Sequence, residues 1–355
     1  MVSMLECIRR IPTILHTIID RREDTLAPLW ERYGKVWADV DELVLIGSGT
    51  SNTATLTARY LAERASGRRV TATPPNEFLH SLTVRNSRAL HVFVSQTGTS
   101  IVARQALQLA NKQGLMTAAW SEAPTTPMAR DAGAFLNLHC GQEEYPMRTI
   151  GYSASVLSLL LLGLELGRRR GVVPTSQYEA YIAQARAAAN HLPKVIDRAM
   201  GWLDAWRRPM LRSSCLAFYG SDSLYGVALE AAVKVWETPQ IAAIGYELEE
   251  GIHGPNYGFN HNHCVIVLNA GGVDQGKAIA LSRYMRLEKG NGFLVGLGAE
   301  APEDLAFEPQ GGAFCCLEFA AVVQVLAFRL ALDQGRDLYA PHDNSVMESY
   351  FRSHS

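Results

Sequence analysis

Hydrophobic and polar positions along the chain alternate between two kinds of segment. Short apolar runs of four to six residues, bounded by Gly, Ser, Thr and Asn, have the length of buried strands. Between them lie longer stretches whose apolar residues recur at three and four, the spacing of an amphipathic helix. This pattern predicts strands near 43–46, 69–73, 91–95, 115–120 and 134–138 in the first half. In the second half it predicts strands near 215–219, 241–244, 264–268, 292–297 and 314–317. Strands alternating with helices favour parallel sheets covered on both faces.

The two halves repeat one another. Residues 43–64 (LVLIGSGTSNTATLTARYLAER) and 215–237 (CLAFYGSDSLYGVALEAAVKVWE) each read as an apolar strand, a Gly-Ser turn rich in hydroxyls and a helix. The apolar helices VLSLLLLGLELG (156–167) and VVQVLAFRLALDQG (322–335) echo each other in the same way. Leu5, Ile8, Ile11, Leu15 and Ile18 give the N-terminus an amphipathic helix, and the alanine-rich YEAYIAQARAAANHL between Pro174 and Pro193 reads as a bridging helix. The organisation expected is an N-terminal helix (1–29), a first α/β domain (30–170), the bridging helix (171–210), a second α/β domain (211–340) and a tail (341–355).

Composition narrows the class. The 355 residues are 48% hydrophobic with a formal net charge of -2, which supplies no electrostatic footprint for nucleic acid. Arg168, Arg169, Arg170 and the pair Arg207, Arg208 read as solvated helix ends. The six cysteines form no CxxC pair, and the N-terminus has no signal-peptide pattern, so a cytoplasmic protein with reduced thiols is expected. The longest apolar run, around Val156–Leu166, reads as too short for a bilayer and is interrupted by Gly163 and Glu165, so no membrane association is expected.

Two turns carry candidate chemistry. Gly47-Ser48-Gly49-Thr50-Ser51 and Ser95-Gln96-Thr97-Gly98-Thr99-Ser100 both follow a strand and lead into a helix. Open parallel sheets bind ligands at such places, where helix N-termini present free amides to anions. Neither turn has the lysine of a Walker loop, and Asn52 replaces the third glycine of a dinucleotide fingerprint. The chemistry left is a monophosphate held by neutral donors, against the plainer alternative of ordinary helix N-caps. His261, His263 and Cys264 are a weak metal candidate, since alternate residues entering a strand point to opposite faces. No metal or cofactor is expected.

These turns resemble the sugar isomerase (SIS) domain family, in which strand-GxGTS-helix is followed by strand-SQ[ST]Gx[TS]-helix. The resemblance covers roughly residues 30–345 as two SIS domains in tandem, each a parallel five-stranded sheet flanked by helices in a flavodoxin-like α/β/α sandwich. A second signature, ALEAAVKVWETPQIAAIGYELEEGIHGP (228–255), is similar to the ALE-x-x-x-K-x-x-E segment and E-x-x-H-G-P turn in the isomerase half of glucosamine-6-phosphate synthase. The resemblance implies that Ser95, Gln96, Thr97 and Ser100 hold the phosphate of a sugar, with Gly49, Thr50 and Ser51 assisting. It implies that Glu237 transfers a proton between C1 and C2 and that His253 assists ring opening. It also implies a homodimer or larger assembly, with the histidine reaching the site across the subunit interface. The general bases needed are one carboxylate for both transfers, expected to be partly desolvated with a raised pKa, and one group titrating near neutrality.

The sequence departs from the synthase at three places. It contains no glutamine amidotransferase segment, its tail APHDNSVMESYFRSHS has no lysine, and Ile150 stands where the synthase has lysine. It is more similar to stand-alone double-SIS deglycases, through the acidic CGQEEYPMRTIGYSASVLS (140–158). That resemblance implies cleavage of a 6-phosphofructosyl amine by water to glucose 6-phosphate and a free amine. Glu143, Glu144, Tyr145 and Arg148, with His342, are candidate contacts for the amine part, and His342 and Asp343 are expected to line the site if the tail folds over it. Two alternatives stay open: an aldose-ketose isomerase or aminosugar-phosphate deaminase using the same Glu and His, and a non-catalytic sugar-phosphate sensor.

Overall fold

The computed structural model describes residues 2–339 and 345–355. In chain order the elements begin with α1 (Met4–Asp20), α2 (Arg22–Tyr33), β1 (Glu42–Gly47), α3 (Thr50–Ser66), β2 (Arg69–Thr73) and α4 (Pro75–His80). They continue with β3 (Ala89–Val94), α5 (Ile101–Lys112), β4 (Met116–Ser121), α6 (Pro127–Asp131), β5 (Ala134–Asn137) and α7 (Ile150–Arg169). After the long α8 (Thr175–Arg212) come β6 (Cys215–Gly220), α9 (Ser223–Glu237), β7 (Ala243–Glu247), α10 (Pro255–Gly258) and β8 (His263–Asn269). The chain then runs through α11 (Gln275–Lys289), β9 (Gly292–Gly296), β10 (Leu305–Ala306), α12 (Cys316–Asp333) and α13 (Ser345–Tyr350).

The chain forms two compact units, one of residues 13–182 with 341–355, the other of residues 1–12 with 183–340. The first holds a five-stranded sheet in the order β2-β1-β3-β4-β5, and the second a five-stranded sheet in the order β10-β9-β8-β6-β7. Every pairing in both sheets is parallel. Read from opposite edges, the two orders are the same doubly wound topology, the 2-1-3-4-5 arrangement of flavodoxin-like sheets. All six residues of β3 are buried, as a strand covered on both faces requires.

The repeat extends to single residues. Gly49 and Asp222 occupy the same place after β1 and β6, and their backbones agree, at φ 55, ψ -127 and φ 52, ψ -129. A non-glycine residue in that region carries strain, so Asp222 keeps in the second unit a turn shape that Gly49 adopts freely in the first.

In the first unit α3 and α7 pack closely because small residues line their contact. A Cβ on Gly163 would lie 2.6 Å from the Ala62 backbone, and one on Gly167 would lie 2.0 Å from the Ala65 carbonyl oxygen. Here the structure corrects the length reading of the apolar run. It is part of a 20-residue helix, long and apolar enough to cross a membrane by length and composition, as is the helical segment Gly312–Asp333. Both are mostly buried, the first completely, so each packs as a core helix of its unit.

One predicted strand is absent. Residues 314–317 belong to a 3-10 turn (Gly312–Phe314) and the start of α12. The edge strand is instead the two-residue β10, paired to β9. The Glu318 carboxylate explains the difference, because it accepts N–H bonds from Gln310 and Gly311, each at 2.9 Å, and so anchors the turn that launches the helix.

Candidate active site

The loop after β3 is fixed from its flanks. Ser95 N–H donates to the Trp120 carbonyl, Glu122 N–H to the Gln96 carbonyl and Met128 N–H to the Gly98 carbonyl, at 3.1, 2.8 and 3.1 Å. Gly98 turns at φ +63, and a Cβ there would stand 2.5 Å from the Thr126 side chain. Thr126 is itself committed, since its hydroxyl caps α6 at Ala129 N and bonds Ser121 Oγ. Thr97 and Thr99 share a hydroxyl contact of 2.8 Å. The N–H groups of Gln96, Thr97 and Ser100 find no acceptor among the described residues. A rigid loop at the start of α5 therefore offers unsatisfied donors where the helix dipole favours an anion.

Beside this loop lies an incompletely satisfied polar cluster. The Gln96 carboxamide is buried beside the Glu122 carboxylate, which it helps to hold, and both of its polar atoms and Glu122 Oε2 lack a close hydrogen bond. Burial raises the Glu122 carboxyl above its ordinary range, with Arg148 pulling the other way. Glu143 is buried and fully used, accepting from Thr149 N and Oγ1, Ile150 N and Gly151 N, so it caps α7 and is not available as an amine contact. Arg148 donates to the Glu143 carbonyl, while Glu144 is exposed. Burial, with Glu122 and Glu143 nearby, pushes the Cys140 thiol up to about 12, which removes it as a nucleophile. Glu122 had no motif to mark it, and its place at the end of β4 is its only sequence signal.

Thr50 and Ser51 open α3, and Gly49 precedes them with an exposed backbone. The last residues of the tail run antiparallel beside the other loop. Ile101 N–H donates to the Ser353 carbonyl at 3.1 Å and Ser355 N–H to the Thr99 carbonyl at 3.0 Å, with Ser100 opposite His354. His342 and Asp343 lie outside the described residues.

Glu237 and His253 both belong to the second unit. Glu237 is the last residue of α9, where the helix dipole disfavours an acid, and the structure supplies the compensation. Lys234, one turn earlier, places Nζ 2.5 Å from Glu237 Oε2 and 3.5 Å from Glu230 Oε1. The Lys234 and Glu230 side chains are 0% exposed, whereas Glu237 retains 35%. A buried carboxylate and a buried ammonium thus aim the third group outward. Glu230 and Lys234 were visible as part of the ALE-x-x-x-K-x-x-E pattern, but only the packing shows that they form one charged unit with Glu237.

His253 sits 69% exposed after a 3-10 turn (Glu250–Ile252), with Nε2 3.0 Å from Glu249 Oε1. Glu249 is held in turn by Lys277. No hydrogen bond or ion pair joins Glu237 to His253 among the described residues. Among the described residues there is also no group of three metal-ligating side chains, and Cys264, beside His263, is a buried thiol whose pKa is raised by burial.

No family model matches the chain. The glutamine–fructose-6-phosphate aminotransferase (isomerizing) of Tropheryma whipplei is 26% identical over 318 residues, covering 86% of this chain and 51% of its own length. The chain thus spans about half the length of this curated relative. Among solved structures, the C-terminal domain of glucosamine-fructose-6-phosphate aminotransferase from Francisella tularensis superposes with a TM-score of 0.85 at 17% identity, covering 95% of this chain and 98% of that one. The tagatose-6-phosphate ketose/aldose isomerase of Escherichia coli gives 0.71 at 18% identity, with 96% and 95% covered. The chain has a tandem SIS-like α/β fold, shared with these solved structures, and its sequence is similar over most of its length to that of a glutamine–fructose-6-phosphate aminotransferase.

Proposed function

We propose that the protein is a phosphosugar enzyme of the isomerase type, and within that class a deglycase for 6-phosphofructosyl amines. The observation that carries the enzymatic reading is the Glu230–Lys234–Glu237 array, which spends two buried charges on orienting one accessible carboxylate. A solvated surface acid needs no such support. Ser95, Gln96, Thr97 and Ser100 hold the phosphate, helped by Gly49, Thr50 and Ser51. Glu237 removes a proton from C1 of the open-chain amino-ketose, giving an enaminol, and returns one to C2. The resulting aldimine takes up water, the C1–N bond breaks, and glucose 6-phosphate and the free amine leave. His253 moves the proton that opens the cyclic form, and its exposure suits a residue that completes the site of a neighbouring copy in a homodimer.

Two features favour an amine leaving group over simple isomerisation. Glu122 keeps a buried carboxylate oxygen beside the loop after β3, near Gln96 and the half-buried Arg148. Ile150 is 1% exposed, so the position that carries lysine in the synthase presents no amine here. Six free cysteines fit a reducing, cytoplasmic setting. The test is release of glucose 6-phosphate from a panel of 6-phosphofructosyl amino acids, read by a coupled dehydrogenase. Release from at least one, lost in Glu237→Gln, is expected. Interconversion of ketose and aldose phosphates without amine release would replace the deglycase reading by an isomerase.

A further inference from the structure

The second unit contains a cavity of about 670 Å³ that has no part in the chemistry above. It lies at the carboxyl end of β9 and β10, between α8 and the loops 296–299 and 306–310. Ligands of open parallel sheets bind at that end, and the volume is within the range of small-molecule sites.

Its lining is built for negative charge. His191, Lys194 and Arg198 stand at i, i+3 and i+7 on α8, so one face of the helix turns all three toward the cavity. Lys194 and Arg198 have no carboxylate within ion-pair distance among the described residues, and Arg198 reaches only the Ala306 carbonyl, at 3.5 Å. His191 is held from beneath. Its Nδ1 donates to the Glu318 carboxylate at 2.5 Å, which leaves Nε2 for the cavity side. Glu318 is itself completely buried and also accepts the amides of Gln310 and Gly311, so ring and loop are fixed by one carboxylate. Across from α8, the amides of Gly298 and Ala299 have no acceptor among the described residues. Glu308 is the acidic side chain on the lining.

We propose that this cavity is a second ligand site, taking a small phosphorylated molecule whose phosphate lies between Lys194, Arg198 and the Gly298–Ala299 amides. The pairing of two long cations with backbone donors suits a phosphate dianion, since each cation forms a charge-assisted bond and the amides receive the remaining oxygens. His191 Nε2, left as the ring's acceptor, receives a hydrogen bond from a hydroxyl next to that group. Glu308 opposes ligands with charge on that side, which restricts the negative group to the α8 side of the cavity. A site of this kind gives the enzyme a means to sense a phosphorylated metabolite apart from the one it processes.

The experiment is calorimetric titration of the full chain with inorganic phosphate, comparing wild type with Lys194→Gln/Arg198→Gln and with Ser95→Ala/Thr97→Ala. Lys194 and Arg198 are exposed, so their replacement leaves the fold intact, which a thermal melt checks. The expected result is a binding event in the wild type that weakens at least about tenfold in the α8 variant and persists in the loop variant. If the loop variant loses a separate event, both sites bind. If it loses none, the cavity still binds phosphate and only the loop assignment fails. Phosphate binding unchanged in the α8 variant, or no phosphate binding by the wild type at all, overturns the proposal.

Discussion

Replacing Lys234 by methionine isolates the charged unit beneath Glu237. Lys234 and Glu230 are both completely buried and 3.5 Å apart, so the substitution leaves the Glu230 carboxylate without its cation in the interior. Removing one partner of a buried pair costs about 3–5 kcal/mol. The Lys234–Glu237 contact adds little to that figure, because Glu237 is about one third exposed and its charge is screened by water. With a urea m-value of about 1–3 kcal/mol per molar, Lys234→Met lowers the unfolding midpoint by at least ~1 M. Glu230→Gln/Lys234→Met removes both buried charges together and recovers about 2 kcal/mol or more, a coupling readable from a double-mutant cycle by circular dichroism. A midpoint for Lys234→Met within ~0.3 M of wild type, or full additivity in the cycle, refutes the reasoning that these charges act as one unit.

Gly98→Ala places a Cβ against Thr126 at a positive φ, so overpacking of about 1–3 kcal/mol adds to about 1–2 kcal/mol of backbone strain. Its urea midpoint falls, and thermal stabilisation by sugar phosphates is lost with it. Glu122→Gln changes the pH dependence of stability with a defined sign. The Glu122 pKa is raised by burial above the ordinary 4.5, so from about 4.5 up to its folded value the native chain keeps a proton that the unfolded chain has released. Stability contributed by this group therefore falls as pH rises through that window. Glu122→Gln is expected to be more stable than wild type at pH 7 and equal to it near pH 3, as melts at the two values will show.

Strand–helix alternation sufficed to place nine of the ten strands near their positions, because most are short apolar runs ended by Gly, Ser, Asn or a polar loop, although β7 has no buried residue. It failed at Phe314-Cys315-Cys316-Leu317, where a short apolar run is compatible with either period. What decides there is Glu318, whose carboxylate closes the turn through bonds to Gln310 and Gly311 that no local pattern reveals. The hydroxyl-rich turn after β3 was legible because its pattern is local, one Ser/Thr/Gly run between a strand and a helix. The support of Glu237 was only half legible, since Glu230 and Lys234 at i and i+4 look like an exposed helix pair until burial is known. Glu122 was not legible at all, because its environment is made by Gln96, Cys140 and Arg148 from other loops.

The central claim is that Glu237 carries a proton at C1. Its most direct test follows the two C1 hydrogens of a 6-phosphofructosyl amine by NMR in the presence of the enzyme, with Glu237→Gln beside wild type. The account predicts that wild type removes one C1 hydrogen as the amine is released, and that Glu237→Gln slows this step by about 10²–10⁴-fold with its fold intact. Loss of the C1 hydrogen at an undiminished rate in Glu237→Gln would contradict it.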